Sequence, residues 1–114
     1  DNSSDILYEN YSLQMELSLS ADQAVNLLKQ ALIQQGNLTD ADGHVEGVDG
    51  NRQYEVISVI SENDIYYYLL SETFVSADGT SQKTGNLYAV CITTGESFEA
   101  VQNMIGTYDL HKLQ

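Results

Sequence analysis

A chain of 114 residues is long enough for one domain with a core of its own, and 42% hydrophobic residues is too many for a disordered segment. Seventeen acidic residues face four basic ones (Lys29, Arg52, Lys83 and Lys112), a formal charge of -13 that argues against nucleic acid and anionic membranes as partners and favours cations or basic protein surfaces. The longest apolar run, Ile65 to Leu70, is far too short for a membrane-spanning helix, and the single cysteine, Cys91, excludes an internal disulfide.

The chain opens on a polar stretch, "DNSSD", and residues 1–10 read as a linker leading into one domain over 11–114. "YSLQMELSL" then alternates: Tyr11, Leu13, Met15, Leu17 and Leu19 point one way and the polar residues the other. That pattern predicts a half-buried strand over Tyr11–Leu19. Ser20 follows with Gln23 three residues on, the spacing of a capping box, in which each side chain satisfies the other's backbone N–H. Ala24, Val25, Leu27, Leu28, Ala31 and Leu32 lie on one stripe, and Gly36 supplies a stop. The spacing predicts a helix over Ala21–Gln35.

Residues 37–52 are polar and glycine-rich, which predicts a loop. "QYEVISVI" and "IYYYLLSETFV", separated by Ser61-Glu62-Asn63-Asp64, read as a hairpin. "SADGTSQKTG" reads as a long connection, "NLYAVCIT" as a strand, and Thr94-Gly95 as a turn into a short strand, "ESFEAV". Val101, Met104, Ile105 and Tyr108 recur at helical spacing in the tail, although Gly106 interrupts them. The expected class is α+β: an N-terminal helix packed on a curled antiparallel sheet of four to five strands, in the order strand-helix-strand-strand-strand.

"TDADGHVEGVDG" holds the most suggestive spacing of acidic residues. A calcium loop of the EF-hand type needs oxygen ligands at its first, third and fifth positions, glycine at the sixth and glutamate at the twelfth. Starting at Asp40 puts His44 fifth, Val45 sixth and Asn51 twelfth. Starting at Asp42 puts His44 third and Gln53 twelfth. Neither register fits, so Asp40 and Asp42 stay as weak metal candidates in a stretch read as a solvated turn, and no metal or cofactor is expected.

Catalytic patterns are scarcer. "GESFE" lacks the second glycine of a nucleophile elbow. Cys91 lies in an apolar strand with no basic neighbour, which reads as an inert buried thiol. His44 and His111 are isolated in the sequence and form neither a triad nor a zinc motif. Tyr66 and Tyr68 share one face of their strand while Tyr67 takes the other. Several strands are apolar on both faces, and one helix covers only one. Alternation puts Tyr54, Val56 and Ile60 on one side of their strand and Ile57 and Val59 on the other. A residual patch including Tyr66, Tyr68 and Tyr88 is therefore the expected interaction surface, for a partner or for a second copy in a homodimer.

"YEV" at Tyr54–Val56 and "LYAVCITTGESFEA", with Thr94, Gly95 and Glu96 at its turn, resemble the strand-turn-strand of PepSY-like domains, with "SADQAVNLLKQAL" placed as their helix. The order of elements also resembles cystatin-like topology, without the Gln-x-Val-x-Gly loop that carries protease inhibition in cystatins. The resemblance implies the folded domain of a small Gram-positive extracellular lipoprotein. The expected function is thus a non-enzymatic secreted or cell-surface binding module, extracellular or anchored to the envelope, with a protein or envelope ligand. The alternatives are a small enzyme whose acidic cleft uses His44, and a PepSY-like module that restrains a protease.

Overall fold

The computed structural model describes residues 18–113. The strand expected at Tyr11–Leu19 lies outside them except for its last two residues, of which Leu19 donates its amide to the Ile92 carbonyl at 2.7 Å. The described residues form one helix, α1 (Ala21–Gln35), and an open antiparallel sheet of five strands in sequential order. These are β1 (Gly50–Glu62), β2 (Ile65–Ser76), β3 (Ser81–Cys91), β4 (Ser97–Gln102) and β5 (Tyr108–Lys112).

The helix begins and ends where its sequence directs. Ser20 and Gln23 complete the capping box at 3.1 and 2.8 Å, satisfying two N–H groups that the first turn leaves over. Gly36 takes φ +91, and the Asn37 amide returns to the Leu32 carbonyl at 2.9 Å. The chain is thereby turned back so that Leu38 is buried beneath the helix end. Ala24, Leu28 and Leu32 bury the apolar stripe against Tyr54, Tyr68, Leu70, Tyr88, Val90 and Ile92 of the sheet.

The connections depart from expectation in three places. The β1–β2 turn contains only Asn63 and Asp64, both in the left-handed region (φ 54 and 66), the tight hairpin turn whose twist matches that of its strands. Most of the expected long connection is strand, because residues 81–86 belong to β3 and 81–83 pair with the far end of β2. The tail's helical spacing is misleading: 103–106 is a hairpin turn between β4 and β5. The Asn103 side chain organises it, accepting from the amides of Ile105 (3.2 Å) and Thr107 (3.1 Å).

A bulge decides which residues share a face. Val56 pairs with Leu70 and Ser58 with Leu69, leaving Ile57 without a partner in the register. Past an extra residue the alternation inverts. Ile60, expected beside Tyr54 and Val56, lies instead on the opposite face and packs with Tyr67 and Leu69.

The second face is concave. Laid flat, four interstrand steps of about 4.8 Å would hold β1 and β5 about 19 Å apart. Yet the Glu62 carboxylate, at the end of β1, accepts the Tyr108 amide of β5 at 3.1 Å. The sheet therefore curls until its edges approach. Side chains from both edge strands, Ile60 on β1 and Tyr108 and Leu110 on β5, pack around Tyr67, Leu69, Ala89, Cys91 and Ala100. Curvature buries on this side what the helix buries on the other.

Candidate functional site

The acidic stretch after α1 is a built turn. Asp40 Oδ1 accepts from the amides of Asp42 (3.0 Å) and His44 (3.2 Å), and its carboxylate meets His44 Nδ1 at 2.9 Å. The hydrogen bond from His44 holds the Asp40 carboxyl below its ordinary pKa. Asp40, Asp42 and His44 each offer a ligand atom within 4.8 Å of the others, but Asp40 is already committed to closing the turn. The turn is docked on β1: Gly43 has φ +88, and a Cβ there would stand 2.0 Å from the Arg52 carbonyl oxygen. The Arg52 amide donates to the Gly43 carbonyl at 2.8 Å.

Tyr66, Tyr68 and Tyr88 fall on the face that α1 and the following loop cover. Tyr68 and Tyr88 are only 9% and 8% exposed, and Tyr66 is partly buried against the same cluster. The Tyr68 hydroxyl donates to the Leu19 carbonyl, and Tyr88 meets Tyr54 edge-on at 5.8 Å. These positions thus join the helix-side core, in place of the open patch expected of them. The reason is positional: even-numbered residues of β2 point at the helix, and sequence parity alone does not say which face a helix takes.

Beside them lies a buried carboxylate. Glu72 is 2% exposed and accepts from the Tyr54 hydroxyl (2.6 Å), the Thr84 hydroxyl (2.8 Å) and the Asn86 side-chain Nδ2 (3.0 Å). Thr84, Gly85 and Asn86 are the extra residues of β3 that stand opposite Glu72, where the pairing jumps from Leu87 to Lys83. The irregular strand brings two donors to one acid. Burial pushes Tyr88 up to about 12, with the Glu72 charge adding to it, and raises Tyr54 as well. The donors that meet this acid are neutral and the group is closed off, so it reads as a structural network.

The open site is on the concave face. A cleft of about 570 Å³ is lined, among the described residues, by Glu62 at the end of β1, Asn63 of the β1–β2 turn, Tyr67, Phe98, Thr107 and residues 108–111 of β5. That volume lies inside the range of about 300–1,000 Å³ typical of ligand sites. Tyr67 and Phe98 form its floor, edge to face at 5.5 Å. Burial raises the Tyr67 hydroxyl above its ordinary pKa, and the nearby Cys91, Glu96 and Glu62 act in the same direction, so the phenol enters the site as a neutral donor. Glu62 places a carboxylate at its rim, while Lys112 stands 3.7 Å from Glu96.

Cys91 lies on the same face, buried beneath this floor. Burial would raise its thiol, but hydrogen bonds from Thr93 and Thr94 outweigh that and hold it below the ordinary value. His44 and His111 remain on separate elements, one in the loop after α1 and one on the cleft-lining edge strand β5. The sequence names Tyr108 only within a helical spacing, and marks neither Phe98, Leu110, Glu62 nor Asp109 as a site residue. The usable signal was period two in "YDLHK", which puts Tyr108 and Leu110 on one face and Asp109 and His111 on the other.

The fold and cleft define a small α+β domain, a helix on one side of a five-stranded meander with a ligand-sized concavity on the other. No protein-family model, curated protein or solved structure matches the chain.

Proposed function

We propose that this chain is a non-catalytic binding module whose ligand seat is the concave cleft between the β1–β2 turn and β5. The observation that carries the reading is the lining: an aromatic floor of Tyr67 and Phe98, flanked by Tyr108 and Leu110, beside the Glu62 carboxylate. Its lining is more polar than apolar, so the rings supply contact area and the polar groups around them fix orientation. The seat is built on strands, which position side chains more firmly than loops do.

The proposed setting is the bacterial cell surface or extracellular space. It rests on the resemblance to small Gram-positive lipoprotein domains and to PepSY-like and cystatin-like topology. A helix followed by antiparallel strands is compatible with either, and a charge of -13 keeps such a module soluble and selects basic partners.

The test is an amide NMR titration with a panel of aromatic fragments, sugars and short peptides. Shifts should gather on Glu62, Asn63, Tyr67, Phe98 and residues 107–111. Binding that gathers elsewhere, or a panel that leaves these residues unmoved, would overturn the reading.

A further inference from the structure

We propose that the cleft takes an extended peptide of alternating apolar and basic residues, which adds to the sheet as a further strand on β5. The inference rests on the cleft being the ligand seat and names what sits there.

Among the described residues β5 ends the sheet, and the groups on its outer side follow from the register of the β4–β5 hairpin. The Asn103 amide bonds the Thr107 carbonyl, and the Leu113 amide bonds the Ser97 carbonyl. In an antiparallel pair the bonded positions alternate. The pairs Asn103–Thr107, Val101–Asp109, Glu99–His111 and Ser97–Leu113 therefore exchange bonds. Tyr108, Leu110 and Lys112 consequently aim their N–H and C=O groups away from β4. The Tyr108 amide confirms the direction, since it reaches outward to Glu62. Glu62 already occupies that donor. The Tyr108 carbonyl, both backbone groups of Leu110 and those of Lys112 form the edge, and this edge borders the cleft.

Open edges template further strands, and strand addition is a common way to hold a peptide: main-chain bonds supply affinity and pockets for alternate side chains supply specificity. The opposite edge is less suited to it, because the bulge at Ile57 disrupts β1.

The two faces of β5 state what the incoming side chains should be. Tyr108 and Leu110 point into the concavity with Phe98 and Tyr67, so a strand laid beside them should turn apolar residues inward. Asp109 lies on the other face, and the neighbouring strand adds Glu99. Side chains on that side meet carboxylates, which favours lysine or arginine. Lys112 pairs with Phe98 in the register and so lies on the concave side, away from these positions.

The probe is acetyl-Val-Lys-Val-Lys-Val-Lys-amide, titrated into the isotope-labelled chain. Three comparisons accompany it: the same peptide N-methylated at alternate amides, the peptide with Glu in place of Lys, and the small-molecule panel. Saturable binding should slow hydrogen exchange at the Leu110 and Lys112 amides. N-methylation of the bonding amides should weaken it at least about tenfold, because it removes the donors to the β5 carbonyls and sets a methyl group between the strands. The Glu peptide should not bind, and added salt should weaken the Lys peptide.

Equal binding of the N-methylated peptide in the cleft would overturn strand addition and leave the cleft as a ligand seat. So would cleft shifts from the small-molecule panel with none from the peptide. Sedimentation of the free chain as a dimer with Leu110 already protected would make a second copy the occupant and overturn the peptide. Silence of the cleft toward every probe would remove both readings together.

Discussion

The Tyr54 hydroxyl donates to the buried Glu72 carboxylate at 2.6 Å, joining β1 to β2 across the helix-side core. A carboxylate so enclosed is tolerated because donors meet it, and two of the three come from the irregular stretch of β3. Tyr54→Phe keeps the ring and its edge contact with Tyr88 but leaves the acid one donor short. The expected cost is about 1–3 kcal/mol in urea unfolding, the range for a buried polar group left unsatisfied. A loss under about 0.5 kcal/mol would mean that water replaces the hydroxyl and the network is dispensable.

Stability should fall as pH rises from about 10 toward about 12. An unfolded tyrosine ionises near 10. Tyr88 in the fold holds its proton to about 12, and Tyr54 is raised too. Across that window the folded state binds more protons than the unfolded, so the stability present below pH 10 is progressively lost. Urea midpoints against pH read the slope, and Tyr88→Phe should flatten it. An unchanged slope in that variant would assign the alkaline loss to other groups.

Leu28 is fully buried at the centre of the helix stripe. Leu28→Ala should cost about 2–4 kcal/mol through lost transfer energy and the cavity it leaves. Denaturant melts of equal slope would attribute the change to stability alone.

Calcium should leave the melting temperature unmoved. Asp40 spends its carboxylate on two amides and His44, which leaves the Asp40–Asp42–His44 cluster short of free ligands. A site filled at a hundred times its dissociation constant would add about 2.7 kcal/mol, a shift any thermal melt detects. A rise with millimolar calcium that Asp40→Asn abolishes would restore the metal reading.

Gly43→Ala tests the docking of the same loop from the backbone side. The new Cβ would meet the Arg52 carbonyl oxygen, and φ +88 is strained for alanine. A loss of about 1–3 kcal/mol is expected, with faster amide exchange at Arg52, whose N–H bonds the Gly43 carbonyl. Exchange as slow as in the parent chain would show that the loop shifts without leaving the strand.

Local chemistry determined the helix and the alternation of the strands. Ser20, Gln23 and Gly36 act on backbone groups a few residues away, so a capping box and a left-handed stop can be read without knowing the fold. Adjacent Asn63 and Asp64 make their tight turn for the same reason. In the tail, apolar residues spaced for a helix lost to the Asn103 turn, whose side-chain bonds outweigh a short, glycine-broken pattern. Only tertiary structure decided the faces. A one-residue bulge at Ile57 carries no strong sequence mark, yet it moves Ile60 from one side of the sheet to the other. Which side the helix covered was equally non-local, and it sent Tyr68 and Tyr88 into the core while leaving Tyr67 to floor the cleft. The cleft exists because the sheet curls until Glu62 reaches Tyr108, forty-six residues along the chain. Curl is a property of five strands twisting together, and no window of sequence contains it.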